Sequence, residues 1–183
     1  MSQNVPNSAL DPRPSTLPLL VLGVDPGLRV TGWGIVSATG EELRALASGA
    51  IAPRNDRPRE ERLHHIFREL CAVIERWRPA EVAVEDPFVA QNARSALAIG
   101  EARAVALLAA AQAGLAVGAY APAQVKLTVA GHGRSDKMQM QEMVRLQLGL
   151  ATAPEPVDAA DALAVALCHH LRRRAEARLE QAR

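Results

Sequence analysis

Four acidic residues stand at points where the character of the chain changes: Asp25, Glu85, Asp158 and Asp161. Asp25 closes an apolar run and opens a Pro-Gly turn, Glu85 closes a second apolar run, and Asp158 and Asp161 lie three apart at the start of an alanine-rich segment. If these carboxylates meet in the fold, each pair at ~4 Å repels by about 4 kcal/mol at an effective dielectric near 20, so the cluster must bind divalent cations or take up protons. The pattern predicts a metal-dependent enzyme that hydrolyses a phosphodiester.

Each of these acids also has an ordinary structural explanation. Aspartate before Pro-Gly is common turn chemistry, and acids in the first turn of a helix favour its positive end. Glu85 is harder to dismiss, because it ends a Val-Ala-Val strand where α/β sheets place ligands. The separation of three also puts Asp158 and Asp161 on one face of a helix, as chelation requires.

The elements that must position these residues can be predicted from periodicity. Continuous or alternating apolar residues predict strands at 19–24, 31–37, 42–51, 81–85 and 116–120. The first three form an antiparallel meander, and the fourth follows a helical crossover that is expected to be parallel and right-handed.

The helices follow from three-four spacing and from caps. They are expected from Pro58 to the residue before Pro79, over 93–113, in a short piece after Pro122, from a cap at Ser135 to Leu148, and from Pro156 into the tail. Strands followed by alternating helices and strands predict an α/β domain with a mixed sheet covered on both faces.

Length and composition limit the class of protein. The 183 residues, 49% of them hydrophobic, suffice for one domain over 19–183, preceded by a proline-rich extension over 1–18 that we expect to be disordered. The two cysteines have neither disulfide nor zinc spacing, no uninterrupted apolar stretch approaches the ~20 residues of a membrane helix, and no signal peptide is apparent. The interpretation is a soluble protein of the reducing cytoplasm.

Basic residues and histidines add candidates. Of 21 basic residues only two are lysines, Lys126 and Lys137, and they share a short segment with Arg134. The two lysines either have a catalytic or phosphate-facing role or have no special function, and the residues alone leave both possibilities open. The paired histidines on predicted helices lack an H-E-x-x-H pattern, so a zinc site is disfavoured, whereas His132, between two glycines near the lysines, stays a candidate for the active site.

Several motifs, in order, resemble the RuvC family of Holliday junction resolvases. The resemblance runs from about Leu20 to His170, and it rests on residues 21–34, 84–88 with Asn92 and 95–97, 120–122 with 125–126, 131–133 with Lys137, and 158–164. It implies a ribonuclease H-like fold with a five-stranded mixed sheet and helices on both faces. The chain departs from the common pattern at Glu101, Ala104 and Trp33.

The resemblance also implies roles for individual residues. The family's four metal-binding carboxylates match Asp25, Glu85, Asp158 and Asp161, which implies two Mg²⁺ ions per subunit, with Mn²⁺ as an alternative. Phe88 matches the aromatic residue that stacks on a base pair at the crossover, and Lys126 and Lys137 match lysines close to the scissile phosphate, with Arg134 as a further DNA contact.

The implied partners are four-way junction DNA, a second copy of the chain, and the RuvA and RuvB branch-migration proteins. Two alternatives stay open from the residues. One is a junction-binding module without catalysis, and the other is an actin-like ATPase domain, because a strand ending in Asp-x-Gly also builds phosphate-binding hairpins. The second alternative needs about twice this chain length and a repeated hairpin, and the sequence shows no repeat.

Overall fold

The computed structural model describes residues 17–86, 93–133 and 135–182. Phe88 and Arg134 lie outside the described residues, as does the expected N-terminal extension apart from residues 17 and 18. The elements are β1 Leu19–Asp25, β2 Thr31–Thr39, β3 Glu42–Ile51, α1 Arg59–Trp77, β4 Glu81–Glu85, α2 Ala93–Gln112, β5 Ala116–Tyr120, α3 Pro122–Ala130, α4 Lys137–Gln147 and α5 Val157–Gln181.

The five strands form one mixed sheet in the order β3-β2-β1-β4-β5. Strands β1, β2 and β3 are antiparallel neighbours, whereas β4 pairs with both β1 and β5 in parallel. The predicted meander and the predicted parallel crossover are therefore both confirmed. Strand β1 lies at the centre of the sheet and is buried from Val21 to Val24, which explains why its sequence is a continuous apolar run.

Helices cover both faces of the sheet, as the sequence predicted. Alternate residues of β1 divide between the two faces: Val21 packs in the cluster with α3, α4 and α5, and Leu22 packs in the cluster with α1 and α2. Since successive side chains of a strand point to opposite faces, Asp25 belongs to the same face as Val21, which is the α5 face.

Helix α5 lies unusually close to the sheet because glycines replace side chains beneath it. A Cβ atom on Gly23 would collide with the backbone carbonyl oxygen of Ala162, and one on Gly32 would collide with that of Asp158. At Gly34 an added Cβ would lie 2.7 Å from Leu163 Cδ2. Gly23 and Gly34 are register partners, as are Asp25 and Gly32. The three glycines are therefore adjacent on β1 and β2 and leave a surface without side chains under α5.

The first residue of α4 is fixed by a cap that differs from the expected one. Asp136, not Ser135, caps this helix: its side chain accepts a hydrogen bond from the backbone N–H of Gln139 at 2.8 Å, and the Gln139 side chain accepts one from the Asp136 N–H. Ser135 is buried and its hydroxyl donates to the His132 carbonyl at 2.8 Å. Both residues are good caps, and only the position of the first helical turn decides between them.

By length and composition alone, helix α2 is long and apolar enough to cross a membrane. This does not contradict the expectation from the sequence, which concerned an uninterrupted apolar stretch, because charged residues interrupt this helix. Its buried residues are alanines, among them Ala106 and Ala109, which pack with α1 and the sheet, and it carries Glu101 and Arg103. Its length is therefore weak evidence for a membrane span.

Replacing Gly23 with alanine should destabilise the protein by about 1–3 kcal/mol or more, because the new methyl group meets backbone atoms of α5 that cannot rotate away. Urea unfolding measures the loss. The matched control is Gly133→Ala, in the loop before α4, where the nearest atom to an added Cβ is 3.9 Å away, and this variant should stay within about 0.5 kcal/mol of the parent. Equal stability of the Gly23→Ala variant and the parent would contradict the close approach of α5.

Candidate active site

The register of the sheet brings Asp25 and Glu85 together. Val24 of β1 and Val84 of β4 are paired in the parallel register, so the next residues, Asp25 and Glu85, end neighbouring strands at the same edge. Parallel neighbours lie about 4.8 Å apart, and both side chains point to the α5 face by strand alternation. Their carboxyl groups lie close enough for each to shift the pKa of the other.

Helix α5 supplies the other two acids. The Asp158 backbone rests on Gly32, which is the register partner of Asp25, so the first turns of α5 lie directly over the end of β1. The charges of Asp158 and Asp161 both raise the pKa of Asp25, and that of Asp161 also raises the pKa of Glu85. Four acids from three elements that are distant in sequence therefore share one electrostatic environment.

Burial and repulsion by neighbouring charges raise the pKa values of Asp25, Glu85 and Asp161. Burial, with the neighbouring Asp161 and Asp158 charges, raises the pKa of Asp25 to about 6. Burial, followed by the charge of Asp25, raises the pKa of Glu85 to about 8. Burial also raises the pKa of Asp161, against the opposing effect of Lys137. A carboxyl group whose pKa is raised by burial and by neighbouring negative charge is one that a bound proton or cation would stabilise.

Two lysines face the acids across an open pocket of about 230 Å³. Lys126 from α3 and Lys137 from the start of α4 line it together with Glu85 and Asp161. The Lys137 Nζ lies 3.4 Å from Asp161 Oδ2, with 63% of its side chain exposed. These lysines offer positive charge at the open side of the acidic cluster, where an anionic substrate would enter.

The oxygen-rich donor set fits a hard divalent cation in type. All four acids present carboxylate oxygens, which Mg²⁺ and Mn²⁺ prefer, and the repulsion that raises the pKa values of Asp25 and Glu85 is a charge excess that a divalent cation would balance. Within the part of the chain that the structure describes, no three His, Cys, Asp or Glu side chains are arranged ready to hold a metal ion. Asp161 is paired with Lys137 instead, so an ion held by Asp161 would displace this contact.

The turn after Asp25 is held by residues that sequence reasoning missed. The buried Thr31 hydroxyl donates to the Gly27 carbonyl at 2.7 Å, and Arg62 of α1 donates to the Leu28 carbonyl at 2.9 Å. On the Glu85 side, Asp86 pairs with Arg103 of α2 at 3.1 Å. A polar residue one turn after Pro-Gly could have indicated the role of Thr31, but nothing local indicates the contacts of Arg62 and Arg103.

Other candidates lie elsewhere. His132 is exposed, its Nδ1 lies 2.9 Å from Ser135 Oγ, and it lines a separate surface pocket with Met138 and Met143 rather than the pocket of the acids. The roles predicted for Phe88 and Arg134 concern residues outside the described part of the chain, so they stay predictions.

Comparison with known proteins agrees with this geometry. The sequence model of the family described as "Crossover junction endodeoxyribonuclease RuvC" matches residues 21–169. The chain belongs to the RuvC family. RuvC proteins of Dehalococcoides mccartyi and Chloroflexus aurantiacus are 52% and 54% identical to it over 153 and 148 residues, which cover 84% and 81% of this chain and 93% and 90% of those proteins.

A solved RuvC structure shares the fold. The Thermus thermophilus RuvC in complex with a Holliday junction substrate superposes with a TM-score of 0.82 at 38% identity, covering 86% of this chain and 96% of that one. The ribonuclease H-like architecture implied by the RuvC motifs is confirmed by this match. RuvC proteins are metal-dependent nucleases, in agreement with an acidic cluster that must hold cations or protons.

The metal-free protein should lose stability as the pH rises from about 5 to about 8. The pKa of Glu85 is about 8 in the fold against an ordinary value of 4.5, so the folded state binds more protons than the unfolded state in this window, and unfolding becomes easier as those protons leave. Urea unfolding in EDTA at both pH values measures this. Glu85→Gln should weaken the dependence and be more stable than the parent at pH 8.

Comparison with that variant isolates Glu85 from other titrating groups. Burial lowers the pKa of His170 to about 4, and this histidine contributes the opposite slope at acid pH in both proteins. Glu180→Gln, an exposed change near the end of α5, serves as the control and should behave like the parent. Identical pH profiles for the parent and Glu85→Gln would show that burial and neighbouring charges do not raise the pKa of Glu85.

Proposed function

We propose that this protein is a structure-selective endonuclease that resolves four-way DNA junctions by paired symmetric nicks, in recombination and DNA repair. The observation that carries the proposal is the meeting of four carboxylates with two lysines at one edge of a RuvC-family fold. A junction-binding module without catalysis would have no need to bring four mutually repelling carboxylates together. An actin-like ATPase domain is not favoured by a family match that covers 21–169.

Asp25, Glu85, Asp158 and Asp161 would hold two Mg²⁺ ions, with Mn²⁺ as an alternative, and Asp25, at the end of the central strand, would be the central ligand. Two such ions supply Lewis-acid stabilisation of the attacking and leaving oxygens of an in-line displacement. The expected products carry a 5′-phosphate and a 3′-hydroxyl.

The surrounding side chains bind and orient the DNA. Lys126 and Lys137 hold the phosphate that faces the acids, and Lys137 exchanges its contact with Asp161 for one with the phosphate. Arg134 adds a further backbone contact. Phe88 stacks on a base at the crossover, and such stacking contributes about 1–3 kcal/mol, enough to offset local unstacking at a junction that is already open.

Nicking two strands at symmetry-related points requires two active sites, so a two-fold dimer is part of the proposal. Helix α2 supports it with an apolar exposed stripe that contains Leu97, Ala104, Leu108 and Ala111. Leu97 and Leu108 are 57% and 61% exposed, and with the alanines they form an exposed apolar surface along one face of the helix, as interfaces do. RuvA and RuvB are proposed as further partners and the cytoplasm as the location, with no membrane partner.

Cleavage assays with a synthetic four-way junction, a linear duplex and an RNA–DNA hybrid, each with Mg²⁺ and with Mn²⁺, test activity, substrate and metal together. Asp25→Asn should lower junction cleavage by more than about a hundredfold while leaving junction binding intact. Loss of a residue that only hydrogen-bonds to a metal ligand already lowers metal affinity or activity by about 10–100-fold, and loss of a ligand should cost more. A variant that still cleaves at the parent's rate in Mg²⁺ would refute the assignment of Asp25. Equal cleavage of duplex and junction would refute junction selectivity.

Leu108→Glu should convert the dimer to monomers, because it places a charge in the middle of the apolar stripe of α2. Analytical ultracentrifugation at micromolar concentration measures the change, and loss of coordinated second nicks should accompany it. Ala177→Glu, at an exposed position of the charged tail of α5, is the control and should stay dimeric. A monomeric parent, or a dimeric Leu108→Glu variant, would contradict this interface.

A further inference from the structure

A basic pocket of about 510 Å³ lies beside the acidic cluster but is separate from it. It is formed by the loop after β3 and the first three turns of α1, and its basic lining residues are Arg54, Arg57, Arg62, His64, His65 and Arg68. Glu61 is the one acid among the lining residues. Four arginines around one concavity repel one another unless an anion is present.

The hydrogen-bonding of these arginines leaves capacity for a ligand. Arg57 and Glu61 approach only to 3.7 Å, beyond hydrogen-bond distance, and both side chains are more than half exposed. The Arg62 Nε is buried and has no hydrogen-bond partner among the described residues. Arg68 is exposed and forms no ion pair within the described part of the chain. Arg54, by contrast, is already paired with Asp56 through two hydrogen bonds of 2.6 and 3.0 Å.

The pocket opens at the same edge of the sheet as the candidate active site. Asp25 is the register partner of Gly32, and Gly32 is in turn that of Ala50, so the end of β3 follows the end of β1 across two strands. The end of β3, where the pocket begins, therefore lies about 10 Å from the end of β1. This distance equals roughly three nucleotides of rise along a duplex strand. Arg62 links the two places directly, because it donates to the Leu28 carbonyl in the turn that follows Asp25.

The bland explanation is that these arginines are simply solvated, as most exposed arginines are. Arginines that are only solvated have no reason to gather in a concave site. Arginine is also the side chain suited to phosphate oxygens, through its planar set of donors. The lining residues offer donors and positive charge but no arrangement for reading base edges.

We propose that this arginine pocket binds the phosphate backbone of the junction arm that leaves the active site on the β3 side. The inference rests on the proposed function and extends it, since it names a contact surface distinct from the acids, the lysines and Phe88. The pocket positions an arm of the junction and contributes affinity that does not depend on base sequence.

The double variant Arg57→Gln, Arg68→Gln tests the proposal, because both side chains are exposed and their loss should change stability little. Its control is Arg44→Gln, Arg178→Gln, which removes the same charge from exposed arginines that pair with Glu42 and Glu41 at the opposite end of the sheet. Affinity for a synthetic four-way junction is measured across salt concentrations for both double variants and the parent.

The pocket variant should lose on the order of tenfold in affinity per lost contact near 0.1 M salt, and its plot of log affinity against log salt should be shallower by about one to two. The control variant should match the parent in slope. Equal affinities and slopes for the pocket and control variants would overturn the proposal. A parent that binds but does not cleave the junction would instead refute the proposed function and leave the binding comparison valid.

A neutral backbone locates the contact. Methylphosphonates placed about three nucleotides from the cut should weaken binding by the parent but have little further effect on the pocket variant, as expected for two groups that contact each other. Methylphosphonates farther along the arm should affect both proteins equally. Independent losses from the near substitution and the protein change would show that the pocket does not contact this part of the DNA.

Discussion

The contact on which the site depends is the one between helix α5 and the centre of the sheet. Gly23, Gly32 and Gly34 remove the side chains that would hold a helix at normal distance, and the backbone of α5 occupies that space. The consequence is geometric: the first turn of α5, with Asp158, lies over the end of β1 and thus over Asp25. A helix at ordinary packing distance would carry the same two aspartates away from the strand ends.

This close approach has an electrostatic consequence. Four acids in one partly buried place repel one another, which raises the pKa values of Asp25 and Glu85, and Lys126 and Lys137 line the pocket beside them. The apolar packing of the two faces must supply the stability that this arrangement costs. A strained acidic cluster in an otherwise well-packed domain is what an ion-dependent nuclease requires.

The edge of the sheet that carries the acids is organised from both faces. Lys126 and Lys137 reach it from α3 and α4, and the arginine pocket reaches it from α1 and the loop after β3. The turn after Asp25 lies between the two sides. The Thr31 hydroxyl donates a hydrogen bond to a carbonyl of this turn, and Arg62 of α1 donates to another. DNA laid across this edge would meet positive charge on either side of the acids, and under the proposed function the same short turn would support both the acids and the flanking contacts.

The sequence by itself determined the elements and the identity of the acids. Apolar runs and three-four spacing act over a few residues, so the strands, the helices, the order of layers and the four carboxylates at element ends could all be predicted, and the RuvC motifs pointed to the same residues. The cap of α4 was missed because Ser135 and Asp136 are both suitable, and only the position of the first turn selects Asp136. Tertiary structure alone decided three contacts: the proximity of Asp25 and Glu85, the close packing of α5 on the glycines, and the hydrogen bond from Arg62 to the turn after Asp25. Those contacts link positions tens of residues apart, and they depend on strand register and packing distance, which no local pattern encodes.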